Sequence, residues 1–125
     1  MKKVLVFMLV FCLTASFLGC GAAAVKDLQQ YVIGTDSMKP AFDKGDTVYV
    51  DPKTTFESIK VGDAIMYRNM ETGIHFTRVV AIEDGALITK CDNNEENDAD
   101  PVTAEELVGK VVKIKTALGT IVDLP

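Results

Sequence analysis

The stretch Tyr31-Val32-Ile33-Gly34-Thr35-Asp36-Ser37-Met38-Lys39-Pro40-Ala41-Phe42-Asp43-Lys44-Gly45-Asp46-Thr47-Val48-Tyr49-Val50 decides the fold. Its ends, the run Tyr31 to Ile33 and the β-branched run Thr47 to Val50, read as two strands. Between them stand Ser37, Pro40 and a charged Lys-Gly-Asp turn. Strand, exposed hydroxyl, tight turn and strand would hold Ser37 on a rigid corner, where a nucleophile is useful. A serine between two strands is more often a plain turn residue, so the rest of the chain has to decide.

Towards the N-terminus, Lys2 and Lys3 precede an uncharged run over residues 4–25, which Lys26 and Asp27 end. A short basic start followed by an apolar run is an export signal. Basic residues stay on the cytoplasmic side, so residues 26–125 are expected outside the cytoplasm. The run is long enough to remain as an anchor, since a bilayer takes about 20 residues. Alternatively, Phe17-Leu18-Gly19-Cys20 resembles a bacterial lipoprotein box, and cleavage there leaves Cys20 as a lipidated N-terminus. A cleaved signal that frees the domain is a third outcome. In the first two, the domain is tethered to the outer face of a membrane, a bacterial cell membrane by this reading, with lipid as a partner. Residues 26–36 reach at most about 38 Å at roughly 3.5 Å per residue, which keeps Ser37 near the bilayer.

Towards the C-terminus, short β signals alternate with Gly turns. Ala64 to Arg68 and Ile74 to Glu83 read as strands around a hairpin loop, Asn69 to Gly73. On the second of these, His75, Thr77, Val79 and Ala81 share one face, and Phe76, Arg78, Val80 and Ile82 the other. Asp84-Gly85 is a two-residue hairpin turn into a strand over Ala86 to Lys90. Cys91 to Pro101 is polar loop. Thr103 to Glu106 matches a capping box opening one helical turn, and Val108 to Lys115 reads as a strand broken at Gly109. The expectation is a mainly β domain, a small sandwich or barrel-like sheet.

Composition narrows the function. The 125 residues carry a formal charge of −5, which suits one domain and argues against nucleic acid as the main partner. Three cysteines, two of them in the apolar run, imply no disulfide framework.

Four motifs in order resemble the type I signal peptidases, in the branch shared by the endoplasmic reticulum, archaea and some Gram-positive bacteria. They are Ser37-Met38-Lys39-Pro40 with Gly45-Asp46, then Val61-Gly62-Asp63, then Arg78-Val79-Val80. The fourth is Thr89 to Asn94 with Asp98 and Val108 to Val111. The resemblance covers residues 31 to 115. It implies a small signal-peptidase-like β domain that hydrolyses exported precursors at small residues, with Ser37 as nucleophile, a His base and a supporting Asp. Asp98 matches that Asp, and Asp92 is the second candidate. The family's His directly precedes the Arg-Val pair, where this chain has Thr77. The only His is His75, on the same strand face and about 6–7 Å further along. A bulge or a loop change could bring it back. Lys39 and Lys90 are the fallback bases, and either must be desolvated to act.

Cys91 stands where the family has Gly. Acidic neighbours raise a thiol's pKa, so it is not expected to be an activated nucleophile. Asp92, Asn94, Glu96, Asp98 and Asp100 invite a calcium reading, but Asn97 and Thr103 break the EF-hand pattern. No cofactor or metal is therefore expected. Two functions stand side by side: a membrane-tethered serine endopeptidase using Ser37, His75 and Asp98, and a catalytically impaired lipoprotein of the same fold that binds peptides.

Overall fold

The computed structural model describes residues 27–124. The proposed signal, anchor or lipobox over residues 1–25 lies outside the described residues. Among the described residues, no helix is long and apolar enough to cross a membrane.

Among the described residues there are seven strands: β1 (Gln29–Val32), β2 (Thr47–Asp51), β3 (Ala64–Asn69), β4 (Gly73–Glu83), β5 (Ala86–Lys90), β6 (Leu107–Lys115) and β7 (Ile121–Asp123). A 3₁₀ turn spans Phe56–Ser58. All pairings are antiparallel, in one sheet ordered β1-β2-β6-β3-β4-β5, with β7 on β6. The expected sandwich or barrel is thus a single sheet, and its first and last strands in that order are not paired with each other.

Two apolar clusters flank the sheet. One gathers Ile33, Met38, Phe42, Val48, Val50, Met66 and Val111, among others; the second holds Ile59, Ile65, Val79, Leu87 and Val102. Strand β3 supplies both, Ala64 and Met66 to the first and Ile65 to the second. Its start is buried on both faces, which is why Ala-Ile-Met reads as a continuous apolar run rather than an alternation. Met38 and Phe42, both 1% exposed, bring the Ser37 turn into the first cluster. Burying side chains of that size stabilises by about 1.5–3 kcal/mol each, so the turn is held by its own neighbours in sequence.

Gly109 does not break its strand, because β6 runs through it from Leu107 to Lys115. A Cβ there would lie 2.3 Å from the Asp51 carbonyl oxygen and 2.8 Å from Val50 Cγ1, so Gly109 lets β2 approach β6 beside the bulge at Tyr49/Val50. Only half of the capping box at Thr103 forms: Glu106 Oε1 accepts the Thr103 N–H at 3.1 Å, while the Glu106 N–H goes to the Thr103 carbonyl and not to its hydroxyl. It closes a turn that runs directly into β6 and not a helix. Strand β7 was not expected: its three exposed residues have no alternation of burial to betray them. Its register on β6 and the ion pair of Asp123 with Lys113 hold it.

Candidate active site

Ser37 lies in the turn after β1, and a second loop clamps it there. The Ser37 carbonyl accepts the Asn93 N–H at 2.9 Å, and Asn93 Nδ2 donates to the Asp36 carbonyl at 3.1 Å. The Lys39–Pro40 peptide is cis. Ser37 Oγ is 3.1 Å from Thr35 Oγ1. The loop that clamps the turn is itself fixed by Arg78, whose Nε and Nη2 donate to the two oxygens of Asp92 at 2.7 and 2.8 Å. A bidentate pair of this kind fixes direction as well as distance. Both oxygens of Asp92 are therefore engaged in holding the loop.

Asp98 is reached from β4 and β5. Its Oδ2 accepts the hydroxyls of Thr77 at 2.6 Å and Thr89 at 2.7 Å, both of them 1% exposed. Thr77 thus takes the place on β4 where a base was sought, and it occupies the carboxylate. A threonine hydroxyl has no useful basicity there.

His75 remains two residues away. The β3–β4 register runs without a shift from Ala64↔Arg78 to Asn69↔Gly73, and the β4 bulge falls later, at Val79/Ala81. No irregularity slides His75 into the position of Thr77. Its ring stacks on Tyr67 at 5.1 Å, and its Nε2 is 2.7 Å from Thr72 Oγ1. Thr72 sits in a turn whose N–H groups at Glu71 and Thr72 reach Asn69 Oδ1.

Ser37 and His75 nonetheless line one groove. Its cavity of about 600 Å³ is walled by β1 and the start of β4, with Tyr31, Ile33, Met38, Phe42 and Phe76 as apolar lining. Phe76 meets Tyr31 and Phe42 edge-on at 6.1 and 6.3 Å. Cys91 lines it too. Its thiol is pushed up, first by burial and then by the charge of Asp98, against the hydrogen bonds of Thr77 and Ser37. The thiol is protonated near neutral pH and is not an activated nucleophile, as the sequence leads one to expect. Nor does Cys91 strain its turn: among the described residues, Asp84 (φ 51°) is the non-Gly residue with positive φ.

Neither lysine faces the groove. Lys39 Nζ is 3.7 Å from Asp36 Oδ1, and Lys90 Nζ donates to the Cys91 carbonyl at 3.2 Å. Among the described residues, no group of three or more His, Cys, Asp or Glu has the geometry to hold a metal. Sequence reading missed Thr77 and Thr89 as partners of Asp98, though both lay on strand faces whose alternation turns them inward.

Comparison with known proteins returns two relatives from fungi. The chain is similar to the signal peptidase complex catalytic subunit sec11 of Sclerotinia sclerotiorum, 30% identical over 93 residues, which is 65% of this chain and 54% of that protein. It is similar to the SEC11 catalytic subunit of Colletotrichum graminicola, 27% identical over 113 residues, 79% of this chain and 66% of that protein. The chain spans between half and two thirds of the length of the curated relatives it matches. No family model matches it.

Proposed function

From the similarity of this chain to the signal peptidase catalytic subunits of two fungi, we propose that it belongs to the type I signal peptidases of the endoplasmic-reticulum branch and is a serine endopeptidase of that type. Its substrates are exported precursors, cut at small residues beside the membrane that holds the enzyme on its extracytoplasmic face. Ser37 is the nucleophile, His75 the base and Asp98 the supporting carboxylate.

The observation that carries this reading is the shared groove: the one imidazole and the corner hydroxyl line the same apolar cleft. Proton transfer needs about 3 Å between them. The ring must therefore leave Thr72 and turn across the groove to Ser37 Oγ. Ser37 Oγ then attacks the scissile carbonyl, His75 takes its proton and returns it to the leaving amine, and water clears the ester. Exposed Val32 and Ile74 at the groove suit an apolar segment next to the cut.

The bond from Thr77 to Asp98 favours a second reading, a peptide-binding module that has lost its base. One experiment separates the two. A peptide with an apolar stretch followed by Ala-x-Ala is incubated with wild type and with Ser37→Ala. Cleavage by wild type, falling at least a hundredfold in the variant, supports the peptidase; equal or absent cleavage with retained peptide binding supports the module.

A further inference from the structure

Asn93 is held firmly, and it holds the Ser37 turn. Both oxygens of the preceding residue, Asp92, are fixed by Arg78, and the Asn94 N–H closes a turn on the Cys91 carbonyl at 3.0 Å. From that turn Asn93 reaches two consecutive carbonyls. Its N–H donates to the Ser37 carbonyl at 2.9 Å, and its Nδ2 donates to the Asp36 carbonyl at 3.1 Å. Asparagine suits this task because it carries a backbone donor and an amide donor on one short stem. We propose that Asn93 is a positioning residue of the peptidase. Its two bonds orient the peptide groups on either side of Ser37, so that their N–H groups face the groove and meet the oxyanion of the transition state. This rests on Ser37 acting as the nucleophile.

The orientation follows from the planarity of the peptide group. In a trans peptide the C=O and the N–H point in opposite directions. The two peptide groups that flank Ser37 are trans. Holding the Asp36 carbonyl towards Asn93 turns the Ser37 N–H away from that residue. Holding the Ser37 carbonyl does the same for the Met38 N–H. Ser37 and Met38 line the groove, whereas Asn93 lines a separate surface hollow with residues 94–98. Among the described residues neither N–H donates to a backbone carbonyl, which leaves both to a ligand. The next N–H along the chain, that of Lys39, is taken by the Asp36 carbonyl at 3.2 Å.

The step this serves is the attack on the substrate. Ser37 Oγ bonds to the scissile carbonyl carbon, its proton passes to the base, and the C=O electron pair moves onto the oxygen. Donors set in advance about 2.7–3.1 Å from that oxygen stabilise the charge where it develops, and removing one such donor costs about 10²–10³ in kcat. Asn93 acts through the two carbonyls, so loss of its amide loosens the donors without deleting them. The expected loss is smaller, about tenfold or more. It falls on kcat and not on KM, because the ground-state peptide is held by the apolar wall of the groove.

The test is hydrolysis of the Ala-x-Ala peptide by the full chain in detergent micelles, wild type against Asn93→Ala and Asn93→Asp. Asn93→Asp keeps the size of the side chain and lacks the donor. Both variants are expected to lose about tenfold or more in kcat, with KM within about twofold of wild type. Both should also bind a peptide boronate of the same sequence, which forms a tetrahedral adduct on serine, more weakly by the same factor. Wild-type kcat in either variant overturns the role of Asn93 and leaves the peptidase reading standing. A lower kcat that comes with a higher KM and a lower melting temperature also overturns it, since Asn93 then supports the fold and not the aim of the donors. Wild type that neither cuts the peptide nor binds the boronate overturns the Ser37 reading and this inference with it.

Discussion

Asp98 Oδ2 accepts two buried hydroxyls, and this places Asp98 against the sheet even though its loop is otherwise exposed. Removing one donor leaves part of a partly buried charge unpartnered, which costs about 1–3 kcal/mol. Thr89→Val, which keeps the side-chain shape, should therefore lower the free energy of urea unfolding by that amount, and Thr89→Ser should restore most of it. Cys91 gives a test through pH. Its thiol titrates above the ordinary value of 9.0, because of burial and then Asp98. As pH rises past about 9, the unfolded chain releases this proton while the folded chain keeps it, so stability falls with rising pH. Alkylation by iodoacetamide at pH 8, followed at Cys91 by peptide mass, should be several-fold slower in the folded chain than in urea. Tyr67 is pushed up to about 12, first by burial and then by Asp98. It adds a further loss of stability between about pH 10 and pH 12.

At the scale of elements, the β2–β6 pair carries the closest backbone approach, at Gly109 against Asp51. A methyl group at 2.3 Å from a carbonyl oxygen has to push one strand aside. Gly109→Ala should cost about 1–3 kcal/mol, as overpacking does elsewhere, seen as a lower urea midpoint with an unchanged slope. Strand β4 carries the functional question. Its register is even from Gly73 to Arg78, so the spacing of His75 and Thr77 in the chain is kept in space. The turn Asn69 to Thr72 then takes the imidazole through Thr72. Removing that hydroxyl tests whether the ring is held back: Thr72→Val should raise peptide cleavage several-fold, with Ser37 intact, if His75 is the base.

On the scale of the whole molecule, two apolar clusters divide the work. The first contains Met38 and Phe42 and so carries the Ser37 turn; the second, around Leu87 and Val102, lies on the other side of β3. Leu→Ala or Met→Ala in such places costs about 2–5 kcal/mol. Met38→Ala and Leu87→Ala should both lower the melting temperature. Only Met38→Ala should also slow acylation of Ser37 by a serine-directed probe, measured well below either melting point. Equal acylation in the two variants would mean that the turn is positioned by the Asn93 clamp alone.

Strand order along the chain, the Asp84-Gly85 turn and the turn at Ser37 were legible without coordinates, because period-two alternation and Gly, Asp and Pro turns are local properties of the backbone. The bounds of β2 to β5 came out within a residue of their reading. Short exposed β7 was invisible for the opposite reason: its evidence is its partner, β6. The site was legible only as a set of residue types. That Ser37, His75 and Cys91 meet in one groove, that Asp92 belongs to Arg78, and that Asp98 takes Thr77 and Thr89 all depend on which strands lie side by side and in what register. Pairing between strands far apart in the chain is set by burial of two faces at once, which no local stretch encodes.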